Sequence, residues 1–453
     1  MTDDATRLRS LAERNLWMPY SAPGSQGSIR DTIRVMTHGT GVSSWDADGN
    51  EYLDGTSALE ALILGHGDPE IVEAIAAQAR TLSFVDVFRF VSPPQAELAA
   101  ELVAASPGMA MAHFTPGGAE ADEVAIKLAR QYHALRGEPY RMKVITRQGA
   151  FHGVTAGAMA LDGQYFASRN VVYDGGLSWG RTVPAGACPQ CDFGKASRHL
   201  ACVHAIEATI RAEGPETVAA VVVDPCATAI AVSCPPAGYL RDLRAVCDRY
   251  GVLLIVDEII TGMGRTGRMF ATEWDGITPD FITMSKALSS GYVPIGAALV
   301  APKIRDTFLE RDGVFFHGHT YAGHPVAAAA ALAVLRRVIR ERLWERAEVL
   351  GDRLLAGLRS LDHHRILWDV RGKGLLAGLE IVRDNGTGED FADPVAAGNR
   401  LRIAARERGL TTLLLHPGNI LFVAPAELAT EEDIDRMVEI LDIALSDVEA
   451  TLV

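Results

Sequence analysis

Two apolar segments in the middle of the chain each end in a residue that can take part in catalysis. Residues 252–256 lead into Asp257, and residues 280–284 lead into Ser285 and then Lys286. Ligands of α/β sheets bind at the carboxyl ends of parallel strands, so an acid and an amine would meet there if the two segments are neighbouring strands. Because residues at strand ends often form ordinary ion pairs, these two alone do not define a site.

A third segment offers a place for a phosphate group. Gly117 and Gly118 precede a helix predicted over residues 120–136, and glycines at a helix N-terminus leave backbone N–H groups open to an anion. A lysine that can bond to a carbonyl, an acid that can keep a ring nitrogen protonated, and a phosphate cup are what pyridoxal phosphate requires. Phe151, which follows a predicted strand at 143–146, could stack on the ring of this cofactor.

The elements that would position these residues alternate between strands and helices. From residue 68 onward, strands are predicted at 143–146, 219–224, 252–257 and 280–284, and helices at 71–79, 95–105, 120–136, 238–250 and 326–340. The apolar runs of the strands and the helical periodicity between them support this assignment. The order predicts a mostly parallel sheet with helices on both faces.

The two ends of the chain differ from this middle part. A helix at 3–17 and a hairpin of residues 42–45 and 51–53 come first, and an α+β pattern follows residue 341, with helices at 343–361, 393–407 and 431–447 and strands at 366–371, 375–382, 411–415 and 420–423. We predict three segments. They are the N-terminal part of a smaller domain (1–64), a large cofactor-binding domain (65–330) and the C-terminal part of the smaller domain (331–453).

The composition argues against several classes of protein. The 453 residues carry a net charge of −14 and are 48% hydrophobic, so we expect neither disorder nor nucleic-acid binding, which needs clustered Lys and Arg. No apolar run reaches the roughly 18 residues of a membrane helix, and the N-terminus lacks a basic and then apolar leader. Six cysteines are too few for a disulfide scaffold. A cytoplasmic location without a membrane partner is expected.

Five segments resemble the class III, or omega-type, aminotransferases of pyridoxal-phosphate fold type I. They are Gly117-Gly118-Ala119-Glu120-Ala121-Asp122, Phe151-His152-Gly153, Asp257 to Gly267, Ser285-Lys286-Ala287-Leu288 and His317 to Pro325. The resemblance extends from about Trp45 to Ala424. It implies a large domain with a seven-stranded, mostly parallel sheet flanked by helices, and a smaller α+β domain built from both termini.

The resemblance also implies a role for each matching residue. Lys286 would hold pyridoxal phosphate covalently and then move the proton between substrate and cofactor carbons, while Asp257 would pair with the ring nitrogen. Thr320 would reach the phosphate of the neighbouring subunit, which implies an obligate homodimer. The remaining cofactor-binding residues are expected to be Gly118, Ala119, Phe151, His152, Asp224 and Ile259, with Phe151 and Ile259 on opposite faces of the ring.

Two departures from the family pattern concern substrate recognition. Asp224 stands where the family commonly has a glutamate, and His416 stands where omega-type enzymes often place a mobile arginine. Histidine is mostly neutral at pH 7 and lacks the bidentate fork of arginine, so recognition of an α-carboxylate is expected to be weakened. Acids would line the pocket instead, and the candidate substrate residues are Tyr20, Glu60, Phe84, Asp86 and His416.

These departures predict a substrate that carries amines and needs no α-carboxylate, such as an amino sugar, aminocyclitol or polyamine, as in antibiotic biosynthesis. The predicted reaction is a ping-pong transamination through pyridoxamine phosphate. A lyase that expels water or phosphate from an amino sugar is the alternative, because a keto-acid acceptor would lack its arginine. An isomerase and a non-catalytic relative are further alternatives, and the intact Lys286 and Asp257 argue against the last.

The cysteines leave one metal hypothesis open. A structural zinc site is suggested by the spacing of Cys188, Cys191, His199, Cys202 and His204. We expect no metal, because members of the family can carry cysteines in this loop without one. Cys226, Cys234 and Cys247 are expected to pack as small apolar residues.

Overall fold

The computed structural model describes residues 3–21, 33–106, 108–162, 178–184, 202–229, 231–415 and 417–452. The five helices predicted in the middle of the chain are present, each within two residues of its predicted ends. The described helices are α1 (Asp3–Asn15), α2 (Pro69–Thr81), α3 (Pro93–Ala105), α4 (Gly118–Leu135), α5 (Ala156–Met159), α6 (Val203–Glu213), α7 (Tyr239–Tyr250), α8 (Pro302–Glu310), α9 (Pro325–Glu341), α10 (Leu343–Arg359), α11 (Pro394–Glu407) and α12 (Glu431–Leu452).

The described strands form one sheet of seven strands and two of four. In chain order they are β1 (Met36–Thr40), β2 (Ser43–Asp46), β3 (Glu51–Asp54), β4 (Met111–Thr115), β5 (Lys143–Arg147), β6 (Gly180–Val183), β7 (Val218–Val223), β8 (Leu253–Asp257), β9 (Phe281–Met284), β10 (Gly296–Val300), β11 (Leu367–Gly372), β12 (Ala377–Ile381), β13 (Leu410–Thr411), β14 (Leu413–Leu415) and β15 (Ile420–Val423).

The seven-stranded sheet is mostly parallel, as the resemblance implied. Its order is β4-β10-β9-β8-β7-β5-β6, and only β10 runs antiparallel to its neighbours, β4 and β9. Strands β8 and β9 pair with Asp257 opposite Thr283. Asp257 and Lys286, which follows β9, therefore leave the sheet at the same edge.

Burial on both faces explains why the central strands read as continuous apolar runs. Every residue of β7 and β8 is buried, since α4 packs on one face through Val124 and Leu128 and α7 packs on the other through Leu240 and Leu243. Burying one such side chain contributes about 1.5–3 kcal/mol. The residues at the carboxyl edge are thus carried by a well-packed support.

The two ends of the chain meet in a smaller α+β part. Strands β11, β12, β15 and β14 form an antiparallel sheet whose core includes side chains of α10, α11 and α12. Strand β13 pairs in parallel with β3 and so joins a C-terminal strand to the N-terminal sheet. This pairing supports a single smaller domain from both termini, while the predicted boundaries at residues 64 and 330 remain predictions.

Two local predictions are wrong. The single strand predicted at 411–415 is two strands, β13 and β14, which belong to different sheets. Cys226 and Cys234 are not separate packed thiols but form a disulfide, because an antiparallel bridge between Ala227 and Ser233 brings their Cα atoms to 4.3 Å. Cys247 is free and buried as expected. Disulfides are rare in reducing compartments, so the cytoplasmic location stays a prediction.

None of the helices among the described residues combines the length and the apolar character that crossing a bilayer needs.

Candidate active site

Asp257 ends β8 in the interior, where two groups fix its carboxylate. Oδ2 lies 2.8 Å from His152 Nδ1, and Oδ1 accepts a hydrogen bond from the Ile259 N–H at 3.0 Å. Asp257 is 5% exposed and His152 is 1% exposed. The carboxylate is thus fixed in orientation and shielded from water. Both properties suit an acid that keeps a ring nitrogen protonated.

Asp122 on α4 completes a buried group of three titratable side chains with Asp257 and His152. Its Oδ1 accepts a hydrogen bond from Thr283 Oγ1 at 2.7 Å. Burial, and then the negative charge of Asp257, raises the pKa of Asp122 well above its usual value, which favours the neutral acid. Asp122 belongs to the motif from Gly117 to Asp122, but no role was predicted for it. Its position on the apolar face of the predicted helix was the feature that could have identified it as a buried acid.

The charge of His152 depends on its contact with Asp257. Burial alone would lower the pKa of this imidazole, but the hydrogen bond to Asp257 and the negative charge of Asp257 outweigh it and raise the pKa to about 9. His152 is therefore an imidazolium at neutral pH and pairs with Asp257 as an ion.

This raised pKa predicts a pH dependence of folding. Since the folded pKa of about 9 exceeds the usual value of about 6.5, His152 stabilises the fold fully below pH ~6.5 and loses this contribution as the pH rises through about 9. We expect the unfolding free energy of the apoenzyme, minus that of His152→Gln, to fall by on the order of 3 kcal/mol over this range. Denaturant titrations measure it, with the exposed His38→Gln as control. A difference independent of pH would contradict the ion pair.

Lys286 points at a buried acid. Its Nζ lies 2.5 Å from Glu60 Oε2, and the Glu60 residue is 5% exposed, whereas the Lys286 side chain is 30% exposed. Lys286 itself has φ of +43°, a backbone conformation that costs a residue with a Cβ of order 1–3 kcal/mol and is often kept at functional sites. Glu60, predicted from the sequence as a substrate residue, is therefore in contact with the predicted catalytic amine.

Glu60 is carried by a left-handed turn. Ser57, Ala58, Leu59 and Glu60 all have φ between +46° and +66°, which is unfavourable for L-residues by roughly 1–2 kcal/mol each. The Asp54 carboxylate holds the turn by accepting hydrogen bonds from the N–H groups of Thr56 at 2.9 Å and Ala58 at 2.7 Å. Strained residues persist only where the surrounding structure holds them, and here they place the Glu60 carboxylate beside Lys286.

Arg265 links the turn Ser57–Glu60 to the C-terminal segment. It is fully buried, donates a hydrogen bond from Nη2 to Ser57 Oγ at 3.2 Å, and pairs with Glu427 at 3.3 Å. The arginine of the motif from Asp257 to Gly267 thus joins the large sheet to both terminal segments.

The start of α4 fits a phosphate group. No side chain of the described residues caps this helix at Gly117, so its first N–H groups remain available to an anion. A Cβ on Gly118 would lie 2.7 Å from Ile259 Cδ1 and 3.4 Å from Ser285 Cβ. Glycine leaves this space beside Ile259 and Ser285 open, and the residues present therefore fit pyridoxal phosphate.

The other predicted cofactor residues lie around this cradle or near it. Phe151 and Ile259 are half-buried and adjoin His152 and Asp257 in the chain, and Ala119 follows Gly118 on the first turn of α4. Thr320 is exposed. Their roles toward the cofactor stay predictions.

Asp224 follows β7 and is held by Arg147, which the sequence analysis did not single out. The guanidinium of Arg147 binds both the carboxylate and the main-chain carbonyl of Asp224, and both residues are buried. Burial raises the pKa of Asp224, while the positive charge of Arg147 opposes this rise. An arginine at the end of the predicted strand 143–146 was the signal that could have identified the pair.

Phe84 and Asp86, two of the substrate residues predicted from the sequence, make local contacts, and their role toward a substrate stays a prediction. The ring of Phe84 contacts the rings of Tyr321 and His324, with centroid distances of 5.8 and 5.3 Å. Asp86 accepts a hydrogen bond from the Phe88 N–H and pairs with Arg89 at 3.6 Å, so its contacts are those of a half-exposed acid within its own turn.

Two further candidates are Tyr20 and His416. Burial and the nearby charge of Asp162 raise the pKa of Tyr20, and Asp162 in turn accepts a hydrogen bond from the His152 N–H at 2.9 Å. His416 lies outside the described residues. Cys188, Cys191 and His199 of the zinc hypothesis also lie outside them, whereas Cys202 is buried at the start of α6.

Comparisons with known proteins agree with this geometry. The sequence model of the class-III aminotransferase family matches residues 26–445. A probable aminotransferase of Mycobacterium tuberculosis is 36% identical over 99% of this chain and 96% of its own, and a taurine–pyruvate aminotransferase of Bilophila wadsworthia is 34% identical over 99% of both chains.

Solved structures show the same fold. A thermostable (S)-enantioselective omega-transaminase from Thermomicrobium roseum matches with a TM-score of 0.89 and 37% identity over 99% of each chain. The omega transaminase of Pseudomonas jessenii in complex with PMP matches with a TM-score of 0.91 and 29% identity over 98% of this chain and 99% of that one. With the Lys286, Asp257 and Gly118 geometry, these matches show that the chain belongs to the class III aminotransferases and is a pyridoxal-phosphate-dependent enzyme of fold type I.

Proposed function

We propose that this aminotransferase acts on a substrate that carries a second, positively charged amine and needs no α-carboxylate: an amino sugar, an aminocyclitol or a polyamine. The observation that carries the proposal is the buried Glu60 carboxylate at 2.5 Å from Lys286 Nζ. A carboxylate in this position would attract a cationic group of the substrate and repel a carboxylate.

The charge balance of the site supports this choice. The ε-amino group of Lys286 is the cation that neutralises Glu60, and the same amino group is the one that holds the cofactor. To accept the substrate proton, this amino group would have to be neutral, and Glu60 would then be a buried acid without a full counter-charge, which is costly unless another cation replaces it. A second ammonium group on the substrate would supply that charge, and Glu60 would then fix its position.

The residues around the cradle would have different roles in amino-group transfer. Bound pyridoxal phosphate supplies an electron sink for the substrate carbon. Asp257, which His152 contacts at 2.8 Å, would keep the ring nitrogen protonated, and the N–H groups of the first turn of α4 would bind the phosphate. Lys286 Nζ would accept the proton that leaves the substrate carbon and donate it again as the amino group is transferred.

A Glu60→Gln variant tests the proposed substrate class. Glutamine keeps the shape of the side chain and removes its charge. We expect the KM for diamines and amino sugars to rise by about 10- to 100-fold, as expected for loss of a charged hydrogen bond of roughly 1.5–3 kcal/mol, while the KM for a monoamine of equal length stays the same. Steady-state kinetics with matched diamine and monoamine pairs measure both values.

Glu51→Gln makes the matched control, because this glutamate is exposed on β3 and bonds Ser43 Oγ. An unchanged ratio of the two KM values in Glu60→Gln would refute the proposal. Product mass in a single turnover distinguishes transfer from elimination: a ketone product supports the transferase, and loss of water or phosphate supports the lyase alternative.

We further propose that a second copy of this chain covers an exposed aromatic region next to the site. The exposed fractions are 69% for Phe88, 58% for Phe90, 94% for Phe316 and 62% for Tyr321, and contiguous apolar surface of this kind marks interaction sites. Thr320 lies in this region and would reach the partner's cofactor. A chain that sediments as a monomer at micromolar concentration would contradict the homodimer.

A further inference from the structure

Two histidines and an acid converge on the surface of the smaller α+β part, apart from the residues of the active site. His363 ends the 3₁₀ turn Ser360–His363 after α10, His364 follows it, and Asp442 lies on α12. His364 Nε2 is 2.7 Å and His363 Nε2 is 3.2 Å from the same oxygen, Asp442 Oδ1. Three atoms that can bind a metal therefore point toward one place.

The other nitrogen of each ring has its own acceptor. His364 Nδ1 lies 3.1 Å from Glu449 Oε2, and His363 Nδ1 lies 3.3 Å from the Ser360 carbonyl oxygen. Metal-binding histidines almost always direct their second N–H to a carboxylate or a carbonyl, which fixes the ring and its tautomer. Glu449 is fixed in turn, because its Oε1 accepts a hydrogen bond from the Ile366 N–H at 3.1 Å.

We propose that His363, His364 and Asp442 bind a divalent transition-metal ion, and that zinc is the ion best suited to them. Imidazole nitrogens with one carboxylate are ligands that zinc accepts at about 2.0–2.1 Å, and two such ligands on a tetrahedral ion are about 3.3 Å apart. The separations of 2.7 and 3.2 Å need only small side-chain movements to reach this value. Water would complete the coordination.

The surroundings leave room for the ion and give it a structural role. The side chains of His363 and Asp442 are 61% and 43% exposed, whereas His364 is 3% exposed. The ion would replace the direct contacts between the two Nε2 atoms and Asp442 Oδ1. It would then link the 3₁₀ turn after α10 to α12 at the surface of the smaller α+β part.

Calorimetric titration of the holoenzyme with zinc chloride tests the site, using a chain without a histidine tag. We expect one ion per chain in the wild type and its loss in His363→Ala, an exposed position where the substitution leaves the fold intact. Glu449→Gln should weaken binding by roughly 10- to 100-fold, as outer hydrogen-bond partners of metal ligands do. Cobalt added in place of zinc should give ligand-field absorption bands that His363→Ala lacks.

His38→Ala is the matched control, because it removes an exposed histidine from β1. The competing interpretation is a charged His364 held between Asp442 and Glu449 with no metal. Zinc binding that is equal in the wild type and His363→Ala, or equally weakened by His38→Ala, would overturn the proposal. So would a melting temperature of the wild type that zinc leaves unchanged.

Discussion

Lys286→Ala is expected to lower kcat for amino-group transfer by far more than any other single substitution in this chain. Proton transfer by a positioned side chain contributes roughly 10²- to 10⁴-fold, and Lys286 is also the residue predicted to hold the cofactor covalently. Its side chain, which is 30% exposed, follows β9 and places Nζ beside Glu60. Single-turnover measurements of ketone formation give the size of the loss.

The loss has a readout that separates chemistry from folding. After borohydride reduction, the mass of the wild-type chain should include the cofactor, whereas that of Lys286→Ala should not. A small primary amine added to the variant should restore part of the rate, because it can take the place of the missing amino group. Lys303→Ala, at a half-exposed lysine that pairs with Asp280, is the control. Transfer at more than a tenth of the wild-type rate in Lys286→Ala would contradict its role.

Asp257→Asn is expected to lower kcat by about 10²- to 10³-fold, the usual cost of removing one charge that stabilises a transition state. Asparagine keeps the shape of the side chain but cannot hold a positive charge on the ring nitrogen in a site that excludes water. The same substitution removes the ion pair with His152 at 2.8 Å. Stopped-flow spectra of the first half-reaction measure the rate.

The pKa of His152 gives a second, independent readout of Asp257→Asn. Because the raised pKa of about 9 depends on Asp257, NMR titration of the apo variant should show it lowered. Asp248→Asn, at an acid that is 61% exposed and pairs with Arg244, should change neither value. If Asp257→Asn lowers the pKa of His152 but reacts at the wild-type rate, Asp257 acts on the imidazole alone and its proposed role at the ring nitrogen is wrong.

The central sheet was the part of the fold most open to prediction from the sequence. Strand β7 is wholly apolar and β8 is apolar up to Asp257, whereas β5 and β9 contain shorter apolar runs, and runs of this kind are local signals. Strands β4, β6 and β10 were not identified. In β4, exposed and half-buried residues such as Met111 and His113 interrupt the run, and β10 is an Ala- and Gly-containing segment whose strand character depends on its two neighbours.

The candidate site was predictable to a different degree for each of its parts. Asp257, Lys286 and Gly118 could be proposed from the sequence because each lies at the end or start of an element that the local pattern defines. Arg147 and Asp122 were not assigned roles, since a charged residue in a sequence looks the same whether it meets solvent or a buried partner. The disulfide between Cys226 and Cys234 was missed for a similar reason, because it depends on a short antiparallel bridge.

The family, the cofactor and most of the helices and strands could be predicted from the sequence, since they follow from local patterns and from motifs of adjacent residues. Which atoms meet depends on the tertiary structure. Glu60 and Lys286 are separated by 226 positions, and His364 and Asp442 by 78. Such contacts depend on how whole layers pack and on strained turns that local preferences oppose, so they are properties of the folded chain.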